Sequence, residues 1–121
     1  MFGWSKSSAH FSVKHHGPVT VLRAYGPEIR NPEQASEFGA DALKMVKEDG
    51  HKAIVMDLTD VRYLSSTGFA VLLGLSEKMK AAGGVLKICG LNPDVAVGAN
   101  IIGLGRLVET YADASTAVES F

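Results

Sequence analysis

The chain has 121 residues, of which 46% are hydrophobic and 21% carry a charged side chain, and its formal net charge is −1. These values are typical of one globular domain, and the balanced charge argues against a basic surface that binds nucleic acid. No apolar run reaches the roughly 18 residues of a membrane-spanning helix, so membrane insertion is not expected. The N-terminus has no apolar signal-peptide core and Cys89 has no second cysteine to pair with, which favours the cytoplasm.

Residues 1–10 are polar and rich in serine, and we predict a flexible leader there, followed by one domain over residues 11–121. Residues 11–15 alternate apolar and polar side chains, as in a half-exposed strand. Residues 16–18 carry a His-Gly-Pro turn signal, and residues 19–25 predict a second strand. These two strands would form a hairpin.

Four segments carry the signals of helices. Asn31 can cap a helix that has Pro32 at its first position, and the apolar side chains that follow recur every three or four residues until about residue 50. The other helices are predicted over residues 69–82, over residues 93–102 after a cap at Asn92, and from a cap at Asp113 or Ser115 to residue 121.

Short apolar runs between these helices predict buried strands. Residues 53–57 and 85–89 are apolar at most positions, which is typical of strands covered on both faces. Residues 107–111 predict a last short strand after a turn at residues 103–106. Because strands and helices alternate after the hairpin, we expect an α/β fold, with one mixed, largely parallel sheet and about four helices packed mainly on one face.

Three hydroxyl side chains, Ser65, Ser66 and Thr67, lie where a strand connection turns into the second helix. One of them is enough to cap the helix, which leaves the other two without that structural reason. A helix N-terminus favours a phosphate because its free N–H groups and its dipole attract negative charge. A phosphorylated serine would add about −1.5 to −2 charges to this surface, so the segment is a candidate regulatory site.

Residues 57–74 resemble the central motif of STAS domains, the family that includes anti-sigma factor antagonists and the tails of sulphate transporters. An apolar strand precedes the motif and an apolar helix follows it, and the motif itself consists of two runs, Asp57-Leu58-Thr59 and Tyr63-Leu64-Ser65-Ser66-Thr67-Gly68-Phe69. Residues 91–95 resemble the start of the family's third helix, and residues 103–107 and 111–121 resemble its closing strand and helix. The similarity covers nearly everything from residue 11 onward and implies the same order of strands and helices.

The resemblance implies a regulatory binding module that has no catalytic activity and needs no cofactor or metal. In antagonists of this family the partner anti-sigma factor is a serine kinase that binds the unmodified form and phosphorylates it, and a phosphatase reverses the modification. Carried over by position, Ser66 is the phosphoacceptor, Thr67 is its neighbour and the alternative acceptor, and Gly68 lets the chain approach closely. Asp57 and Gly68 are the structural residues of the motif. The implied partner-binding face contains Ile29, Arg30, Asn31, Ser65, Ser66, Thr67, Gly68, Phe69, Asn92, Pro93, Asp94 and Val95.

Two positions depart from the family pattern. Ser65 stands where the motif has an aspartate, and Arg30 stands near a second acidic position of the family's binding face. We expect these changes from acidic to neutral or basic to shift the choice of partner and to weaken phosphorylation. Ser66 is retained, so the switch stays available, and the sequence leaves the formation of a homodimer open.

Two other interpretations remain open at the level of sequence. A STAS scaffold that never takes phosphate fits Ser65 and Arg30, for example a stressosome-like subunit or a cytoplasmic component of a lipid-transporter complex. A small metal-dependent phosphatase would use Asp57 and Asp60, although an aspartate that binds loop amides is the simpler interpretation of Asp57. Cys89 lies in an apolar strand and is expected to be inert core.

Overall fold

The computed structural model describes residues 5–6, 10–50 and 52–121. In chain order, the strands within these residues are β1 (Ser5–Lys6), β2 (Phe11–His16), β3 (Val19–Ala24), β4 (Glu28–Ile29), β5 (Ala53–Asp57), β6 (Tyr63–Leu64), β7 (Val85–Cys89) and β8 (Thr110–Tyr111). The helices are α1 (Pro32–Asp49), α2 (Ser66–Ala81), α3 (Pro93–Ile102) and α4 (Ala114–Glu119), with a short 3₁₀ helix at Leu104–Arg106.

The main sheet is mixed and largely parallel. Among the described residues its strand order is β1-β2-β3-β5-β7-β8, with antiparallel pairs at β1–β2 and β2–β3 and parallel pairs from β3 to β8. The β2–β3 pair is the predicted hairpin, in which Phe11 lies opposite Ala24. A separate small parallel sheet joins β4 to β6. The predicted α/β fold with a mixed, largely parallel sheet is therefore confirmed.

The helices cover the two faces of the sheet unequally. Residues of α1, α2 and α3 contribute to the larger core cluster, where the ring centroids of Phe11 and Phe38 lie 5.0 Å apart. On the opposite face, Ala117 of α4 packs with Val21 and Cys89. The helices therefore lie mainly on one face of the sheet, as predicted.

The helix ends follow the sequence signals closely. Asn31 caps α1, because its side chain accepts a hydrogen bond from the Gln34 N–H at 2.8 Å and the Gln34 side chain accepts one from the Asn31 N–H at 3.2 Å. Gly50 ends this helix in a left-handed conformation. Asp113 caps α4 by accepting from the Thr116 N–H at 2.8 Å, and this bond lowers the pKa of the Asp113 carboxyl.

A charged side chain in strand β7 is buried. Lys87 is 6% exposed, and its Nζ donates to the Ser120 carbonyl oxygen at 3.0 Å and to Ser120 Oγ at 2.8 Å. The same ammonium lies 4.3 Å from the ring centroid of Phe121, which is a cation–π contact. These contacts hold the segment after α4 against the sheet, and a strand pattern alone does not indicate them.

Several local features differ from the sequence prediction, among them the end of α4, which lies at Glu119 rather than at residue 121. The last strand is Thr110–Tyr111 rather than residues 107–111, because the chain first forms the 3₁₀ helix and buries Val108 in the core. Strands β4 and β6 were not predicted, since strands of two residues have no periodicity to detect. Asn92 occupies the N-cap position of α3, but its side chain makes no capping hydrogen bond.

The predicted leader falls mostly outside the described residues, which exclude residues 1–4 and 7–9, so it remains a prediction. Within that segment β1 pairs antiparallel with β2. His10 is tied to α1, because its Nδ1 lies 2.9 Å from Asp41 Oδ2. The last residue of the predicted leader therefore has a contact with the folded domain.

Candidate phosphorylation and partner-binding site

The starts of α1 and α2 are held side by side by the small parallel sheet. β4 leads into α1 and β6 leads into α2, and their register pairs Glu28 with Tyr63 and Ile29 with Leu64. The Ser65 N–H continues this ladder by donating to the Ile29 carbonyl oxygen at 2.9 Å. Two segments that are distant in sequence, and that were predicted to share one face, are thereby brought together.

Ser65 is the residue that caps α2. Its backbone is extended, and its Oγ accepts a hydrogen bond from the Gly68 N–H at 3.2 Å. Ser66 and Thr67 occupy the first two positions of the helix and are exposed. The helix therefore begins three residues before the predicted residue 69, and Ser66 faces solvent without a capping role.

Asn92 ties the start of α3 to the same region. Its Nδ2 donates to the Val61 carbonyl oxygen at 2.7 Å and lies 3.4 Å from the Thr59 carbonyl oxygen. α3 also packs against β6. The third predicted segment therefore joins the first two. Asn92 achieves this by binding the loop before β6, which explains why its side chain does not cap α3 as predicted.

Asp57 stabilises the loop that leads to β6. Its buried carboxylate accepts hydrogen bonds from the Thr59 N–H at 3.0 Å and from the Thr59 hydroxyl at 2.5 Å. Asp57 is therefore a structural residue of this loop.

Cys89 lies next to Asp57 and is buried. Burial, followed by the nearby Asp57 carboxylate, raises the pKa of the Cys89 thiol to about 12. Since the thiolate is the reactive form, Cys89 is inert at neutral pH.

Arg30, Glu28 and Tyr63 form an exposed group on the outer face of β4 and β6, which we call the Arg30 cluster. Arg30 donates twice to the Glu28 carboxylate, with both N–O distances at 2.8 Å, and its guanidinium carbon lies 4.6 Å from the Tyr63 ring centroid. The hydrogen-bonded ion pair raises the pKa of Arg30 and lowers the pKa of Glu28. The surface beside Ser65 thus carries a neutralised ion pair rather than an excess of acidic groups.

A family model for the STAS domain matches residues 10–117, which is nearly the whole described domain. The chain belongs to the STAS domain family. A curated relative, the anti-sigma F factor antagonist of Paenibacillus polymyxa, is 24% identical over 99 residues that cover 82% of this chain and 83% of the relative. The resemblance that the central motif predicted is therefore confirmed.

Solved STAS structures share the fold over almost their full length. An anti-sigma factor antagonist from Mycobacterium paratuberculosis matches with a TM-score of 0.76 and 25% identity, over 89% of each chain. The Bacillus cell fate determinant SpoIIAA in its phosphorylated form matches with a TM-score of 0.61 and 16% identity, over 99% of this chain and 98% of that chain. At this lower identity, the second likeness shows the common fold.

The predicted face of this STAS domain has exposed members and supporting members. Ile29, Phe69 and Val95 were predicted to contact the partner, but their side chains are only 3–5% exposed. They pack beneath the face and support it. Gly68 is also buried. The remaining members are exposed or partly exposed, namely Arg30, Asn31, Ser65, Ser66, Thr67, Asn92, Pro93 and Asp94.

Exposed apolar side chains next to this face were missed at the level of sequence. Tyr63 is 43% exposed, and on α3 Val97 is 59% and Ile101 is 79% exposed. Residues four apart share one side of a helix, so Pro93, Val97 and Ile101 form one outward ridge. The signal was present in the sequence, because α3 has apolar residues on more sides than the sheet can cover.

The carboxylates proposed for a metal-dependent phosphatase have other partners. Asp60 forms a bidentate pair with Arg23, with N–O distances of 3.0 and 3.3 Å, while Asp57 binds Thr59. Within the described ranges, no three metal-ligating side chains cluster. The geometry of Asp57 and Asp60 thus gives the phosphatase interpretation no support.

Across the same described residues, each helix is too short or too polar to cross a membrane.

Gly68 allows α2 to lie close to β4 and β6. A Cβ atom at this position would lie 2.3 Å from Leu64 Cδ1 and 3.6 Å from Ile29 Cγ2. We expect Gly68→Ala to lower the free energy of unfolding by about 1 kcal/mol, because the Leu64 side chain would have to move.

Gly74 provides the matched control for this substitution, since it lies in the same helix and has no atom within 4 Å of an added Cβ. Gly74→Ala should raise the free energy of unfolding by about 0.5–1 kcal/mol, because alanine loses less backbone entropy in a helix. Urea denaturation measures both variants. A stabilisation of equal size at the two positions would contradict the close approach at Gly68.

Proposed function

We propose that this STAS domain is a regulatory protein of the anti-sigma factor antagonist type, which binds a serine kinase that acts as an anti-sigma factor. Phosphate on Ser66 would switch the binding off, and a phosphatase would restore it. The protein would act in the cytoplasm, without catalytic activity or a cofactor of its own. The observation that carries the proposal is the exposed Ser66 at the start of α2, beside a cap that Ser65 already provides.

The relatives support this class of protein. The match to the STAS family spans residues 10–117, and the Paenibacillus relative is an anti-sigma F factor antagonist. The phosphorylated Bacillus structure has the same fold, so this fold is compatible with a phosphate.

A phosphate on Ser66 would act on binding through charge and hydration. It would add about −1.5 to −2 charges to the first turn of α2. The positive end of the helix dipole tolerates this charge, so the domain would stay folded. A partner packed over Ser66 would have to strip water from the phosphate, which is unfavourable unless the charge is paired. The affinity would therefore be lost at the interface itself.

The exposed surface around Ser66 has the composition that a protein partner needs. Asn31, Thr67 and Asp94 offer hydrogen-bonding groups. Val97 and Ile101 extend this surface with apolar side chains along α3. Protein interfaces combine an apolar centre with a polar rim, and this arrangement fits that pattern.

The direct test is a pull-down from the native lysate with the wild-type chain and with Ser66→Asp. We expect the wild type to capture a kinase with an ATPase-type nucleotide site and Ser66→Asp to bind it at least roughly tenfold more weakly, or by about 1.4 kcal/mol. Aspartate reproduces part of the phosphate charge, so the loss should reflect repulsion and desolvation. Mass spectrometry of the captured proteins and of the phosphorylated residues reports the result.

Ser115→Asp is the matched control. Ser115 is exposed in the first turn of α4, so the substitution adds the same charge near a helix start but on the other face of the sheet. This variant should capture the kinase as well as the wild type does. Equal loss with both aspartate variants would point to net charge rather than to Ser66. Equal capture by all three chains would contradict the switch.

A second function has support from two specific residues. Ser65 stands where the family motif has an aspartate and Arg30 stands near a second acidic position of the family's binding face, which favours a STAS scaffold that binds its partners constitutively. Such a scaffold would be a subunit of a stressosome-like assembly or of a lipid-transporter complex. Native mass measurement distinguishes it, because a scaffold would stay in one large assembly whether or not Ser66 is replaced by aspartate.

A further inference from the structure

We propose that Arg30 is the internal partner of the phosphate on Ser66, and that phosphorylation moves its guanidinium from Glu28 to the phosphate. This inference rests on the proposed function only in that Ser66 is the modified residue. It assigns Arg30 a regulatory role within the chain. The phosphorylated and unphosphorylated faces would then differ in the arrangement of the whole Arg30 cluster, and not only by one added group.

The present partner of Arg30 is easily exchanged. Arg30 and Glu28 hold each other at 2.8 Å, but their side chains are 59% and 43% exposed. Exposed ion pairs contribute little to stability, because water screens the charges and both side chains lose freedom. A stronger anion that appears nearby can therefore compete for the guanidinium.

The register of the small sheet places Arg30 next to Ser65, the residue directly before Ser66. Ile29 is paired with Leu64, and the Ser65 N–H donates to the Ile29 carbonyl oxygen at 2.9 Å. Arg30 and Ser65 are thus the next residues along two strands that lie about 4.8 Å apart, and Ser66 follows directly. In the proposed exchange, the long Arg30 side chain turns from Glu28 towards Ser66 by rotation about its own bonds.

Few charged side chains near Ser66 could pair with its phosphate in place of Arg30. Glu28, Glu33 and Asp94 are the acidic side chains near the starts of β4, α1 and α3, while Arg62 is the other cation of the adjoining segments. Arg62 precedes Ser66 by four residues, which corresponds to about 13 Å of extended chain. The Arg62 N–H donates to the Pro27 carbonyl oxygen at the other end of the small sheet, so the register places Arg30 nearer to Ser65 than Arg62.

A phosphate would bind Arg30 more strongly than Glu28 does. It carries about −1.5 to −2 charges at neutral pH, and its three oxygens accept the two parallel N–H bonds of a guanidinium. The exchange would leave the Glu28 carboxylate unpaired and would uncover the ring of Tyr63. A kinase or phosphatase that contacts this surface would then meet a different charge pattern in the two states.

The test uses a full-length chain with phosphoserine incorporated at position 66 during synthesis, and it follows the phosphate by phosphorus NMR during a pH titration. We expect the phosphate of the parent chain to titrate roughly half a pH unit or more below that of the Arg30→Gln variant, because a nearby cation favours the dianion. Arg62→Gln is the control and should titrate like the parent. Both glutamine variants remove an exposed charge, and thermal unfolding verifies that they fold.

A second readout separates direct contact from a general field effect. In the phosphorylated chain, the Nε–H proton resonance of Arg30 should move downfield relative to the unmodified chain, as expected when it enters a charge-assisted hydrogen bond. Identical titrations of the parent and Arg30→Gln, or a larger effect of Arg62→Gln, would overturn the proposal. Because the phosphate is built in, these results do not depend on a kinase. A failure of the proposed function would instead appear as absence of phosphate transfer to Ser66.

Discussion

Replacing Gly90 with alanine should lower the free energy of unfolding by about 3 kcal/mol or more. Gly90 has φ of +74°, and an added Cβ would lie 2.3 Å from Thr59 Oγ1 and 2.9 Å from Asp57 Oδ1. The methyl group would therefore enter the hydrogen bond between Asp57 and Thr59. A buried carboxylate that loses its hydrogen-bond donors is costly. This cost adds to the cost of placing an L-residue in a left-handed backbone conformation.

Gly83→Ala separates these two penalties. Gly83 has φ of +84°, close to that of Gly90, but no atom lies within 4 Å of an added Cβ. This control should lose only about 1–2 kcal/mol, the cost of a left-handed backbone for an L-residue. Urea denaturation curves give both values. Equal losses at the two positions would show that the space beside Asp57 and Thr59 is not the constraint.

The Gly90→Ala substitution should also disturb the candidate partner-binding site. Asn92 holds the start of α3 to the Thr59–Val61 loop, and the same loop leads into β6. A displaced Thr59 would therefore change the position of α3 relative to Ser66. We expect Gly90→Ala to weaken kinase capture even at temperatures where most of the protein is folded.

Incubated with ATP and the kinase that the proposed function requires, the wild type should be modified on Ser66, and the Ser66→Ala variant should incorporate no detectable phosphate. The reason is accessibility: Ser66 is exposed at the start of α2, and its side chain is not needed for the cap. Intact-protein mass measurement follows the added phosphate, and peptide sequencing assigns the residue. Unchanged phosphate incorporation by Ser66→Ala would refute the assignment.

Its two hydroxyl neighbours provide the controls. Thr67→Ala removes another exposed hydroxyl and should leave phosphate transfer to Ser66 intact. Ser65→Ala removes the oxygen that accepts the Gly68 N–H, so it should cost about 1 kcal/mol of stability but keep Ser66 as the acceptor. Phosphate on Thr67 in the wild type would move the switch by one residue. Absence of phosphate on every hydroxyl would favour the constitutive scaffold.

Predictions from sequence succeeded where the signal is local. Asn31 caps α1 as predicted, and Asp113, one of the two predicted candidates beside Ser115, caps α4, because a cap depends on a side chain and on N–H groups only a few residues away. The apolar runs around Val55 and Ile88 form the predicted central strands. The motif from Asp57 to Gly68 indicated the family before any contact was known.

Predictions were incomplete where a residue depends on a distant part of the chain. The role of Asn92 could not be predicted, since its side chain chooses between capping α3 and binding the Val61 carbonyl oxygen across the fold. Lys87 is buried because Ser120 and Phe121 cover it, and no pattern within β7 indicates that. The missed strands β4 and β6 exist because each pairs with the other.

The amino-acid sequence by itself determined the helices, the central strands and the STAS motif, because each of these depends on neighbouring residues. Ser66 as phosphoacceptor follows from the resemblance of that motif to the family and stays a prediction. Only the tertiary structure decided which hydroxyl caps α2 and which residues of the face are exposed. It also decided that Arg30 pairs with Glu28 beside Ser65. These properties follow from the parallel pairing of β4 with β6, which brings together residues far apart in the chain and has no local signal.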